Sequence, residues 1–277
     1  MPELPEVETV KEILKSKLIE LEVKDVLVHY DKMIKTSDVA QFKEKLRGQR
    51  FVDVKRRGKY LIFELEDYHL LSHLRMEGKF FYGDDEGIRD KHVHVAFLLC
   101  SGHWLKYEDV RKFGTFHLYE KGTALESTPA FTVLGPEPWA DEFNIEGVMT
   151  FFKWKKMPIK PMLLSQKVVA GLGNIYVDEV LFASKIHPLK KSGDLTREEV
   201  EKVIHYTKEI LSQAIVYKGT TIRTFSAQHG SMGEFQSFLQ VYGRKDESCP
   251  KCSTVILKTK VGGRGTYFCP VCQPCES

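Results

Sequence analysis

Apolar residues recur at three-to-four spacing near the start of the chain, at Val7, Val10, Leu14, Leu18 and Leu21, with Glu6 and Glu8 ahead of most of them. That period marks one face of an α-helix, and acidic residues suit a first turn, so the pattern predicts a helix over Glu3 to Leu21. From Val23 to about Tyr119 the period shortens. Runs such as Phe51 to Val54, Tyr60 to Leu65, His92 to Phe97 and Trp104 to Tyr107 are separated by Gly48, Gly58, Gly78, Gly83, Gly87 and Ser101-Gly102. Short strands broken by turn residues predict a mostly antiparallel β-sandwich. Thr128 to Trp139 is proline-rich, suits neither helix nor central strand, and reads as the interdomain connection. A helical period then returns from about Asn174 to Ser184, stopped near His187-Pro188. A second helix opens on a Thr196/Glu199 capping box and carries Val200, Val203, Ile204, Thr207, Ile210, Leu211 and Ala214 until Gly219.

Composition changes this picture little. The 277 residues, 42% hydrophobic and 29% charged, describe a globular chain of one large or two ordinary domains. No signal-peptide pattern opens the chain and no apolar run approaches the roughly 18 to 20 residues of a membrane span, so an intracellular, cytoplasmic protein without membrane association is expected. The net charge is only +3, but it is unevenly spread. Phe42 to Tyr60 holds eight basic residues against Glu44 and Asp53, and Phe151 to Lys167 holds five lysines and no acid. Such segments fit a polyanion-binding face, and equally well solvated charged surfaces.

Six cysteines in a reducing compartment read as ligands before disulfides. Cys249-Pro-Lys-Cys252 and Cys269-Pro-Val-Cys272, with sixteen intervening residues, match a four-thiolate structural zinc site with no open position for catalysis. Val255 to Leu257 and Thr266 to Phe268 predict two short strands, with Gly262 to Gly265 at the turn presenting Arg264. Such a hairpin inserts a cation into a DNA groove, or binds protein. Cys100 lies in an apolar run and is expected in the core; Cys275 reads as an unliganded tail thiol. Ala170 to Tyr176 is a glycine-rich turn opening a helix, suited to hold a phosphate or to pack tightly. His73 to Gly78 places Met76 at the end of a strand, and Asp109 to Gly114 places Arg111 and Phe113 before a turn. Both are core-like, or are wedges of the kind that fill a base stack after a nucleotide is extruded. At the start, Met1-Pro2-Glu3-Leu4-Pro5-Glu6 is good helix-initiating chemistry. With Met1 removed it also offers Pro2 as a secondary-amine nucleophile beside two carboxylates.

Together these stretches resemble the formamidopyrimidine-DNA glycosylase family of bacterial repair enzymes. The resemblance covers Pro2 to Thr9, Arg57-Gly58-Lys59-Tyr60-Leu61, His73 to Met76, Arg111 to Gly114, Gly171 to Tyr176 and the cysteine-rich tail with Arg264-Gly265-Thr266. Leu4 is the form of the purine-lesion branch; the endonuclease VIII branch usually has Gly there. The resemblance implies an α+β fold: an N-terminal helix with an antiparallel β-sandwich (1–135), a linker (136–153), a helix-two-turns-helix domain with a lesion-capping loop (154–240), and a four-cysteine zinc finger on a β-hairpin (241–277). It implies that Pro2 attacks C1′ of the damaged nucleoside, with Glu3 as principal proton donor and Glu6 assisting. It assigns Lys59 to β-elimination and Arg264 to the δ-elimination and phosphate end. Met76, Arg111 and Phe113 would enter the vacated space, Arg111 facing the orphaned cytosine. His92, Lys156 and Asn174 would grip phosphates, with Tyr242 in the same region. Cys249, Cys252, Cys269 and Cys272 would hold one zinc ion.

The expected activity is a bifunctional glycosylase and AP lyase removing 8-oxoguanine and formamidopyrimidines, acting as a monomer on damaged duplex DNA. The rival from another class is a catalytically silent lesion binder, which would need neither Pro2, Glu3 nor Lys59. A third reading keeps the chemistry and turns the pocket to oxidised pyrimidines. The loop Gly219 to Phe235 offers hydroxyls and backbone donors but no decisive lesion reader.

Overall fold

Val7, Val10, Leu14 and Leu18 share one fully buried face of a helix, α1, spanning Leu4–Leu18 in the computed structural model, which describes residues 1–220 and 233–275. The helix is shorter than its apolar period. Ile19 is extended and Glu20 takes φ +68, so the backbone turns away, while Leu21 packs half-buried against the same core. The chain divides into two units, Met1–Leu125 with Lys218–Gly233, and Glu126–Tyr217 with Glu234–Ser277.

The first unit is built on eight strands: β1 (Val23–Val28), β2 (Phe51–Arg57), β3 (Tyr60–Leu65), β4 (Tyr68–His73), β5 (Lys79–Gly83), β6 (Val93–Leu99), β7 (Trp104–Glu108) and β8 (Thr115–Glu120). They form two four-stranded sheets, ordered β1-β6-β7-β5 and β2-β3-β4-β8, with every pairing antiparallel. Aromatic side chains from the facing sheets meet edge to face, Phe63 with Phe80 at 5.4 Å and Tyr107 with Phe116 at 4.9 Å between ring centres. This is the expected sandwich, its core filled by large rings that pack best in offset or edge-on contact. A second helix, α2 (Val39–Leu46), was not visible in the strand-like period. Asp38 caps it by accepting from Gln41 N at 2.8 Å, and only Phe42 and Leu46 are buried. Cys100 is not in the core. It sits exposed in the β6–β7 turn, where its Sγ accepts from Glu22 N, because the apolar run ends at Leu99.

The second unit holds α3 (Ile145–Phe152), α4 (Ile159–Leu164), α5 (Asn174–Ser184) and α6 (Arg197–Val216), followed by a hairpin of β9 (Leu257–Val261) and β10 (Arg264–Phe268). The α3 helix, capped by Asn144, lies within the stretch read as a linker. The Thr196/Glu199 capping box is present as read, with bonds of 3.2 and 2.8 Å. Val200, Val203, Leu211 and Ala214 are buried along α6. Gly262 and Gly263 both take positive φ, the conformation a two-residue hairpin turn requires, and leave Arg264 exposed as the first residue of β10. The loop expected over Gly219 to Phe235 lies mostly outside the described residues.

Candidate active site and metal centre

In the first unit, α1 presents Pro2, half-buried, followed by fully buried Glu3 and Glu6. Glu6 is engaged at both oxygens. Its Oε2 accepts the backbone N–H of Glu3 at 2.9 Å, and its Oε1 accepts the Thr220 N–H at 2.9 Å and the Thr220 hydroxyl at 3.3 Å. Gly219, at φ +75, brings the returning chain close; a Cβ there would lie 2.8 Å from the Glu6 carboxyl carbon. Glu6 therefore fixes the backbone on either side of the helix start.

Lys59 is buried in the two-residue turn between β2 and β3, where Gly58 adopts φ +56. The preceding Arg56 ties this turn to α1. Its Nε donates to Glu8 Oε2 at 2.6 Å and its Nη1 to the Gly58 carbonyl at 3.0 Å. Burial pushes the Glu8 carboxyl up, but Lys11 and Arg56 together hold it below the usual carboxylate range. Nothing in the local sequence pattern marks the Arg56–Glu8 pair, because its members are 48 residues apart.

Two loops of this unit carry the candidate wedge. Residues 74–78 join β4 to β5, turning through Arg75 at φ +55, with Met76 half-buried. Residues 109–114 join β7 to β8, with Arg111 and Phe113 both exposed and the guanidinium 4.8 Å from the centre of the Phe113 ring. Phe113 at 51% exposure is not a core residue. Asp109, buried, shapes this loop by accepting from Arg111 N, Phe113 N and Gly114 N at 3.0, 2.9 and 2.8 Å. His92, half-buried, precedes β6, and its carbonyl accepts from Asp109 N.

In the second unit Asn174 is the first residue of α5, but its Nδ2 already donates to the Gly265 carbonyl at 3.0 Å. A phosphate at this helix start would be met by backbone N–H groups. The same carbonyl accepts from Lys160 Nζ at 3.0 Å. Lys160 is wholly buried and paired with equally buried Asp178 at 2.6 Å, while Asp178 also accepts from Tyr267 N. Burial pushes the Asp178 carboxyl up, against the pull of Lys160. Neighbouring Glu179, also buried, accepts from Gln240 N, Val241 N and Tyr242 N at 2.8, 3.0 and 2.8 Å. The Tyr242 ring meets Tyr267 edge-on at 5.1 Å. These charged residues escaped the sequence reading, although a charge inside an apolar helical run, as in Ile159-Lys160 and Val177-Asp178-Glu179-Val180, is itself a signal. Lys156 is exposed.

The four cysteine sulfurs of Cys249, Cys252, Cys269 and Cys272 lie within 4.8 Å of one another. Cys249 and Cys272 are 3.8 Å apart and Cys252 and Cys269 3.4 Å. Sulfurs about 2.3 Å from a tetrahedral zinc sit about 3.8 Å from each other, so the cluster fits one structural zinc ion. Cys275 lies outside it. Gln273 braces the module, accepting from Cys269 N and donating to the Ile186 carbonyl.

Comparison with known proteins agrees with this construction. Family models match residues 1–116 (formamidopyrimidine-DNA glycosylase N-terminal domain), 134–226 (formamidopyrimidine-DNA glycosylase H2TH domain) and 246–274 (zinc finger found in FPG and IleRS). The formamidopyrimidine-DNA glycosylases of Bacillus cereus and Oceanobacillus iheyensis are each 46% identical over 275 residues, covering 99% of this chain and 99% and 98% of theirs. Two crystal structures from Lactococcus lactis, the wild-type Fpg (MutM) with N7-benzyl-Fapy-dG DNA and the Fpg with abasic-site DNA, superpose with a TM-score of 0.91 at 42% identity. They cover 99% of this chain and 100% of theirs. A sandwich headed by Pro2-Glu3 and a helical unit with a four-thiolate hairpin thus define a zinc-containing DNA glycosylase. The chain belongs to the formamidopyrimidine-DNA glycosylase family, and a DNA-binding role in DNA repair follows from that membership.

Proposed function

We propose that this protein excises oxidised purines, 8-oxoguanine and formamidopyrimidines, from duplex DNA and then cuts the strand. The observation that carries the reading is the coupling, through Arg56, of the helix that directly follows Pro2-Glu3 to the turn that holds Lys59. Once Met1 is removed, the Pro2 nitrogen attacks C1′, and the base leaves with a proton supplied by Glu3. The resulting iminium acidifies C2′–H. Loss of that proton with Lys59 as base expels the 3′ phosphate, and a second elimination expels the 5′ phosphate, Arg264 stabilising the departing charge. Glu6 acts by holding the Glu3 backbone. Met76, Arg111 and Phe113 fill the gap, and His92, Lys156, Tyr242 and the start of α5 hold phosphates. The partner is damaged duplex DNA, bound by a monomer. No helix among the described residues is long and apolar enough to cross a membrane.

Borohydride trapping on duplexes with 8-oxoguanine, dihydrothymine or an abasic site, with Pro2→Gly as control, tests this. An adduct on 8-oxoguanine and abasic duplexes, lost in Pro2→Gly, is expected. No adduct on any substrate would return the chain to a silent binder, and trapping on dihydrothymine alone would move it to pyrimidine lesions.

A further inference from the structure

The loops 74–78 and 109–114 are neighbouring crossovers between the two sheets, because β4 pairs with β8 in one sheet and β5 with β7 in the other. Between them lies the side chain of Tyr107, on β7, fully buried and held edge-on by Phe80 and Phe116. Its hydroxyl fills the space that Gly78 and Gly114 leave by having no side chain. A Cβ built on either glycine would overlap Tyr107 Oη, and would lie 2.8 Å and 2.7 Å respectively from Cζ. Neither glycine has positive φ, so room, not backbone conformation, is what demands glycine there.

The hydroxyl gains little else from its position. Burial, then the nearby Asp109 carboxylate, pushes the phenol pKa up; Asp109 gives the hydroxyl at most a weak contact, and among the described residues no hydrogen bond of ordinary length and angle reaches Oη. A buried hydroxyl with so weak a partner costs stability, and phenylalanine would fill the ring's place without that cost. What the oxygen adds is contact with both crossovers at once.

Resting on the wedge role proposed above, we infer that Tyr107 is a positioning residue, the spacer that sets the separation of the two loops. That separation aligns Met76 with Arg111 and Phe113 for the gap left by an extruded nucleotide. Asp109 folds one loop; Tyr107 relates it to the other. An error of about 1 Å in such an alignment is enough to cost on the order of a hundredfold in rate.

The experiment compares wild type, Gly114→Ala, Tyr107→Phe and the double variant in two reactions. One is single-turnover excision of 8-oxoguanine opposite cytosine or adenine in a duplex. The other is borohydride trapping on a single-stranded abasic oligonucleotide, which has no opposite base and needs no wedge. Gly114→Ala is expected to lower duplex excision about tenfold or more while single-stranded trapping stays at the wild-type level. Tyr107→Phe is expected to relax discrimination between cytosine and adenine. The double variant should recover part of the Gly114→Ala loss, because removing Oη relieves the closest overlap and leaves the ring to give way at Cζ. Equal excision by wild type and Gly114→Ala, or strictly additive losses in the double variant, overturns the inference. If Gly114→Ala does not fold, Tyr107→Phe decides: unchanged opposite-base discrimination overturns it. Absence of any adduct with wild type would refute the Pro2 chemistry alone. The spacer is then judged by 2-aminopurine fluorescence beside the lesion, and an identical response in wild type and Tyr107→Phe counts against it.

Discussion

His73 shows how a single side chain is held in one state. It is buried at the end of β4, its Nδ1 accepts the Arg75 N–H at 2.9 Å, and its ring meets Tyr60. Burial first, then the Arg75 and Lys59 charges, lower its pKa to about 3. The unfolded chain therefore binds a proton that the folded chain refuses between about pH 6.5 and 3. Stability from this residue is full above pH 6.5 and is lost as pH falls through that window. Between pH 7 and pH 5 the loss should be about 2 kcal/mol. Urea unfolding at both pH values, with His73→Asn as reference, measures it, and an equal pH dependence in the two proteins would refute it. Glu6 makes the complementary point. Both its oxygens face N–H or O–H donors, so Glu6→Gln must turn an amide donor toward another donor. A loss of about 1 to 3 kcal/mol in unfolding free energy is expected.

At the scale of elements, the zinc hairpin depends on metal and on helices α4 and α5 together. Gly265 and Tyr267 are fastened by Asn174, Lys160 and Asp178, and residues 240 to 242 by Glu179. Replacing Cys252 by Ala should release zinc, weaken DNA binding and raise amide exchange across Cys249 to Cys272, while β1 to β8 keep their protection. Zinc stoichiometry and hydrogen exchange decide this; retained zinc would contradict four-thiolate ligation. Much at this scale was legible in the chain. The period of α6, the Thr196/Glu199 cap and the Cys spacing are local patterns and formed where they were read, whereas α1 ends at Leu18, short of Leu21, and the turn read over Gly262 to Gly265 is confined to Gly262-Gly263. The α2 helix was missed because two buried residues in eight make a weak period. The Lys160–Asp178 and Glu179 bonds were missed because their partners are set by the tertiary fold. Pro2 as a nucleophile is legible in the chain's first residues, but the elimination roles of Lys59 and Arg264 came from resemblance, not from any local rule.

Across the whole molecule, 41 basic residues nearly balance 38 acidic ones, so attraction to DNA must come from where the charges sit. Lys156→Ala should weaken binding by a similar factor on every duplex sequence and lower the salt dependence of log Kd by about one. A change confined to lesion-bearing duplex would instead make Lys156 a lesion reader. The Glu6–Thr220 contact has a different kind of consequence. Its partners are 214 residues apart, yet both belong to the first unit. A chain emerging from the ribosome builds α1 within its opening residues but leaves the Glu6 Oε1 without this partner until the last quarter has begun to be made. The end of the protein proposed to do the chemistry is thus among the first parts synthesised and among the last completed, and an interrupted chain would carry its nucleophile on an unfinished support.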